Sequence, residues 1–155
     1  MYAIIRLRGD VNASPDIKYT LELLRLHRVN HCVVAEDNEY SRGMIRKVKD
    51  YVAWGEISEE ILESLLRNRG RITGGQRLSE ELIRDKTSVS TFSELAHALT
   101  SSQITMKELA AQGIKPVFRL HPPRKGHSGI KRSYTQGGVL GYHGEKINDL
   151  LIKMR

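Results

Sequence analysis

"SPDIKYTLELLRLHRVNHCVVAED", residues 14–37, switches from one hydrophobic period to another, and that switch sets the class of fold. Ser14 followed by Pro15 marks a helix start, because proline lacks the N–H that a first helical turn leaves unpaired. Ile17, Leu21 and Leu24 recur at helical spacing and predict a buried stripe, with Lys18, Glu22 and Arg25 to one side in pairing range. Cys32-Val33-Val34-Ala35 then runs apolar without a break, which predicts a short buried strand.

Before this stretch, YAIIRLRG (residues 2–9) reads as a strand. After it a second helix is predicted from about Glu39 to Tyr51. Met44, Ile45, Val48, Tyr51 and Val52 share one side of it, and Arg42, Arg46 and Lys49 form a separate basic stripe. Val52-Ala53-Trp54-Gly55 predicts a third strand, so residues 1–55 read as a β-α-β-α-β core, a two-layer sheet-and-helix unit of the α+β class.

Residues 56–116 predict a helical insert with a modest core of its own. Ser58 opens SEEILESLLRNRG, Glu59 and Glu60 suit the positive end of the helix dipole, and Gly70 is expected as its C-terminal cap. A short helix is expected near residues 79–85, after the Gly74-Gly75 turn. Thr91-x-x-Glu94 and Thr105-x-x-Glu108 are capping-box patterns, and Gly113 closes the second helix. Residues 117–155 predict a returning strand, a basic extended loop and a C-terminal helix with Ile147, Leu150, Leu151 and Met154 inward.

Composition excludes several function classes. A chain of 155 residues suits one domain, or a small domain with an extension, and can bury about two thirds of its unfolded surface. No apolar run approaches the roughly eighteen residues of a membrane span. Arg6 and Arg8 interrupt the first apolar run, so no signal peptide is expected, and the expected compartment is the cytoplasm, without a membrane partner. The single cysteine, Cys32, excludes an intramolecular disulfide and a Cys-based zinc cluster, and the scattered His27, His31, His121, His127 and His143 do not replace one. Gly137-Gly138-x-x-Gly141-x-x-Gly144 lacks the Gly-Lys-Ser/Thr of a nucleotide-hydrolase loop, and no Gly-x-Ser-x-Gly elbow occurs. Glu59/Glu60 and Glu80/Glu81 sit at helix starts, where dipole compensation accounts for them. The sequence therefore predicts no enzyme, no metal, no cofactor and no small-molecule substrate.

Charge points elsewhere. The net +7 is concentrated in residues 109–155, which hold nine Lys/Arg against two Asp/Glu, and no acid occurs between Glu108 and Glu145. Such a segment attracts polyanions, nucleic acid foremost, with a solvated disordered tail as the bland alternative. Gly126-x-x-Gly129 and Gly138-x-x-Gly141 fit a backbone that approaches phosphate closely. Tyr134 and Tyr142 fit two roles equally, stacking on an exposed base or anchoring the loop.

Four motifs carry a family resemblance: Val29-Asn30-His31, Tyr40-x-Arg42-Gly43-Met44-Ile45-x-Lys47-Val48, Arg119-Leu120-His121-Pro122-Pro123-Arg124-x-Gly126-His127, and Asp149-Leu150-Leu151-x-x-Met154-Arg155. The chain resembles the large-ribosomal-subunit protein thirty family, in the long form found in archaea and related to the eukaryotic protein seven. The resemblance implies a ferredoxin-like core and a structural role in the ribonucleoprotein that performs translation. It further implies contact with large-subunit ribosomal RNA near the 5S RNA and with neighbouring ribosomal proteins, and neither catalysis nor cofactor. Asn30, His31, Arg42, Gly43, Met44 and Lys47 match its core signature, and the run from His121 to His127 matches its extension. The charge reading adds Arg46, Lys49, Arg119, Lys125, Lys131, Arg132 and Tyr134 to Pro122, Pro123, Arg124 and Gly126 as candidate RNA contacts. A free-standing RNA-binding regulator or chaperone would share the same basic loop and is the alternative.

Overall fold

The computed structural model describes residues 1–155. The chain runs β1 (Tyr2–Arg6), α1 (Pro15–Leu23), β2 (His31–Ala35), α2 (Glu39–Lys47), β3 (Val52–Glu56), α3 (Glu59–Arg69), α4 (Glu80–Lys86), α5 (Phe92–Thr100), α6 (Met106–Ala111), β4 (Val117–Arg119), β5 (Gly141–Tyr142) and α7 (Ile147–Met154). One sheet in the order β4-β2-β1-β3-β5 holds all five strands. β1 is central and antiparallel to both β2 and β3, β4 pairs antiparallel with β2, and β5 lies parallel to β3. This is the α+β, ferredoxin-like class the sequence predicts.

Side-chain alternation along β1 organises the molecule. Ala3 and Ile5 point to one face and join Cys32, Val34, Ala53 and Phe118, whereas Ile4 points to the other and joins Val33 and Val52. Leu21 and Leu24 near α1 and Ile45 and Val48 near α2 cover the second face. Leu62, Leu65 and Leu66 of α3 and Ile147, Leu151 and Met154 of α7 cover the first, and Leu95 and Leu99 of α5, which packs on α3, and Leu109 of α6 belong to the same cluster.

One expectation is thereby corrected. Within residues 1–55 both helices lie on one face of the sheet, as the two-layer reading predicts, and helices from beyond residue 55 add a third layer on the other. The insert has no separate core, because its stripe belongs to the same 26-residue cluster as that other face of the sheet. Period shows that a helix has an apolar side but not which apolar surface it meets.

Local details also differ from the sequence reading. α2 ends at Lys47, not near Tyr51, because Val52 must pair with Arg6 in β3 and the chain turns first, with Tyr51 N–H donating to the Val48 carbonyl. Gly70 does cap α3, with an extended rather than left-handed backbone, and a Cβ there would collide with the Leu66 carbonyl. The Thr105/Glu108 box is complete. At Thr91 only the hydroxyl half forms, and the Glu94 carboxylate accepts from Ser90 N–H instead.

A buried cation ties the first strand to its surroundings. Arg6, 3% exposed, donates to the Leu26 and Arg8 carbonyls at 2.8 and 2.9 Å and meets Asp10 at 3.1 Å. At the other end of the sheet, a Cβ on Gly55 would strike the Gly144 carbonyl, so glycine is what lets the 3-10 turn Gly144–Lys146 cross β3 and seat α7.

The shared core makes a direct expectation. Leu66→Ala removes a fully buried side chain of α3 and costs about 2–5 kcal/mol. Trp54, on the opposite face of the sheet, is the only tryptophan. Its fluorescence and the far-UV circular dichroism should lose the same amount of urea midpoint in this variant. A lowered dichroism midpoint with an unchanged Trp54 midpoint would mean the insert folds on its own core.

Candidate nucleic-acid interface

The predicted RNA contacts fall on four parts of the surface. The first is a shallow groove of about 790 Å³ between α1 and α2, where Tyr19, Leu23 and Tyr40 are exposed beside Gly43, Met44 and Lys47. Gly43 is the instructive residue. It sits in mid-helix without a positive φ, and a Cβ there would meet nothing within 4 Å. A helical glycine costs about 0.5–1 kcal/mol relative to alanine, and no contact inside the chain requires this one. A body outside the chain that approaches the α2 backbone closely would require it.

The charges on α2 are not equivalent. Asn38 caps the helix by accepting from Ser41 N–H. Arg42 is spent on Asp37 at 2.6 Å, and its hydrogen bond holds the Asp37 carboxyl below the usual range. Lys47 stands 3.7 Å from Asp16. Arg46 is exposed and makes no ion pair, and Lys49 lies beyond the helix end. The predicted stripe of Arg42, Arg46 and Lys49 is thus one paired and two free cations on two different elements.

The second surface joins distant parts of the chain. Lys49 and Lys131 line one cleft of about 610 Å³ together with Arg8, Tyr51 and Trp54. Arg8 lies 5.2 Å from the Tyr51 ring centre and donates to the Asp50 carbonyl at 3.1 Å. Sequence reading missed Arg8, which sits inside the first predicted strand and gives no local signal that it turns toward Lys131.

The third is the end of the sheet. Asn30 is a corner with φ of 66°, whose N–H donates to Arg6 and whose carbonyl accepts from Leu120, linking β1 to the chain after β4. Asparagine tolerates that conformation, so the fold itself accounts for Asn30. His31 pairs in register with Arg119, and its Nδ1 is shielded from solvent without a partner. Burial, reinforced by Arg119, His27 and Arg28, pushes the His31 imidazole below its ordinary value. His27 and Arg28 extend this basic end, which the sequence reading did not single out.

The fourth is the basic loop, pinned at its start to α7 by His121 N–H to Met154 and Arg124 N–H to Lys153. Pro122 is exposed and Pro123 buried. Lys125, with φ of 70°, makes a tight turn in which Gly126 N–H reaches the Pro123 carbonyl. Farther on, Val139 N–H to Gly129, Leu140 N–H to Arg132 and Tyr134 N–H to Leu140 close the segment on itself. A Cβ on Gly138 would collide with the Arg132 backbone, so this glycine serves protein rather than phosphate. Tyr134 stacks on His143 with ring centres 4.1 Å apart, and Tyr142 donates to Glu56 at 2.6 Å. Both rings therefore anchor the loop. Arg124, Lys125, Lys131 and Arg132 remain exposed, while His127 is half-buried and burial lowers its pKa.

No three His, Cys, Asp or Glu side chains converge as a metal site, and burial pushes the Cys32 thiol up to about 12, which makes it a core residue. A family model described as ribosomal protein L30p/L7e matches residues 2–52. The large ribosomal subunit protein uL30 of Methanothrix thermoacetophila is 54% identical over 155 residues, the whole of both chains. The chain belongs to the L30p/L7e family of ribosomal proteins. The uL30 proteins of Methanocorpusculum labreanum, at 51%, and Archaeoglobus fulgidus, at 52%, also match along their full length. The family model spans the α1–α2 groove and His31, whereas the insert and basic loop are shared with the full-length archaeal relatives.

Gly43→Ala should stabilise the free protein by about 0.5–1 kcal/mol against urea while weakening its association with ribosomal RNA several-fold. Unchanged RNA affinity would mean that nothing approaches α2 there. A second expectation concerns pH. Burial lowers the folded-state values of His31, His127 and His143 below 6.5, so on acidification the unfolded chain takes up protons first. Their contribution to stability is complete above about pH 6.5 and declines below it. The thermal midpoint should be lower at pH 5 than at pH 7, and His143→Gln should narrow the difference.

Proposed function

We propose that this chain is a structural constituent of the large ribosomal subunit that binds large-subunit ribosomal RNA, in the neighbourhood of the 5S RNA, with neighbouring ribosomal proteins as its further partners. One observation carries the RNA reading. All four ion pairs of the chain lie among residues 6–67, and none of the nine Lys/Arg in residues 109–155 meets a carboxylate. Cations left without internal partners are available to an external polyanion, and their phosphate contacts release condensed counterions.

The geometry supports a protein that holds RNA segments together. The Arg8/Lys49/Lys131 cleft, the His31/Arg119 end and the exposed loop cations lie on separate elements fixed to one core. Burial favours the neutral forms of the half-buried His31 and His127, so in this reading they contribute hydrogen bonding and stacking rather than charge. Residues 124–132, where the loop carries most of its charge, become ordered against RNA in this reading.

Sucrose-gradient sedimentation of a cell extract provides the test. The chain should travel with the large ribosomal particle at moderate salt and leave it at high salt. A chain found near the top of the gradient at every salt concentration would be the free-standing regulator or chaperone instead.

A further inference from the structure

Beyond these surfaces lies a cleft of about 420 Å³ whose entire lining is polar: Asn68 and Arg69 from the end of α3, Arg77, His121 and Arg155. These residues come from four separate stretches of chain and of them only His121 carries a sequence motif for RNA contact. The fold brings them together. Arg77 is placed by its antiparallel bridge to Arg71, and His121 by its N–H bond to Met154. Asn68 donates to the Ser64 carbonyl at 2.7 Å and Arg155 to the Ser64 hydroxyl at 2.6 Å, so one residue orients both.

No acidic side chain lines the cleft, and none of its three arginines forms an ion pair. The Arg69 Nε–H is shielded from solvent and has no acceptor. An arginine near a helix C-terminus is ordinarily explained by the negative end of the dipole. That account suffices for Arg67, which also holds Glu63 at 2.7 Å. It does not explain why Arg77 and Arg155 share one cleft with Arg69, since gathering like charges is unfavourable unless an anion joins them.

We propose that this cleft is a phosphodiester-binding site that takes the sugar–phosphate backbone of ribosomal RNA. Guanidinium groups match pairs of phosphate oxygens in a fork geometry, and His121 and Asn68 add further hydrogen-bonding groups. The cleft opens directly onto the acid-free loop at His121, so RNA lying along the loop reaches it. It has no apolar wall on which a peptide side chain would seat, which favours nucleic acid over an acidic protein segment. The site rests on the RNA-binding reading above and enlarges the RNA-facing surface into the insert.

The test uses the full chain and transcribed archaeal large-subunit ribosomal RNA. Arg69→Gln combined with Arg77→Gln should keep the wild-type thermal midpoint and lower the slope of log affinity against log salt by about one for each phosphate no longer neutralised. In the wild-type chain, the Arg69 Nε–H resonance should shift on adding RNA, an observation that needs no variant. Wild-type RNA binding with an unmoved Arg69 resonance and an unchanged slope in the double variant would overturn the site and leave the RNA reading standing. An acidic protein segment as the true occupant would give that same result on naked RNA. Absence of salt-sensitive RNA binding by the wild-type chain would overturn both.

Discussion

The structure depends on burying β1 on both of its faces. Ala3 and Ile5 need cover on one side and Ile4 on the other, and all three are fully enclosed. Helices must therefore pack on both sides of the sheet. α1 and α2 serve one side from within the first 50 residues, while the other is served by helices from the insert and the C-terminus. The insert is consequently structural for the core rather than an appendage to it, and the C-terminal helix cannot detach without exposing the same face.

That constraint positions the charged surface. α7 is held against β3 by a close backbone approach at Gly55 and by Asn148, which donates to the Glu56 and Glu145 carbonyls and accepts from Ser58 N–H. The basic loop hangs between β4 and α7, so both of its ends are fixed. Its middle is closed by backbone hydrogen bonds and by Tyr134 on His143. Arg8, Lys49 and Lys131, far apart in sequence, thereby come to line one cleft. Acids are scarce only after Glu108, so the loop cations stay uncompensated, whereas Asp37 and Asp16 pair with Arg42 and Lys47 beside α2.

Much of this was legible in the sequence wherever the cause is local. Ser58, Thr91 and Thr105 occupy the N-cap positions their spacing predicts, because capping involves only the next three residues. The strands of the core and the amphipathic last helix follow from hydrophobic period alone. The end of α2 was misread because Tyr51 and Val52 continue the helical stripe in sequence, while the pairing of Val52 with Arg6 is a long-range demand. The candidate interface was legible as charge and only partly as geometry. Arg42 reads as a free cation until Asp37 is seen beside it, and the left-handed corner that Asn30 makes has no signature in the local sequence.

The sequence by itself determined the element types, most caps, the α+β class, the acid-free basic segment and the family motifs, since each arises from residues a few positions apart. Only the tertiary structure decided that the insert shares the core, that Arg8 and Lys49 meet Lys131, and that Arg69, Arg77, His121 and Arg155 surround one cleft. Those arrangements join segments tens of residues apart. Their geometry is set by how apolar faces pack on a common sheet, and no local pattern records which faces will meet.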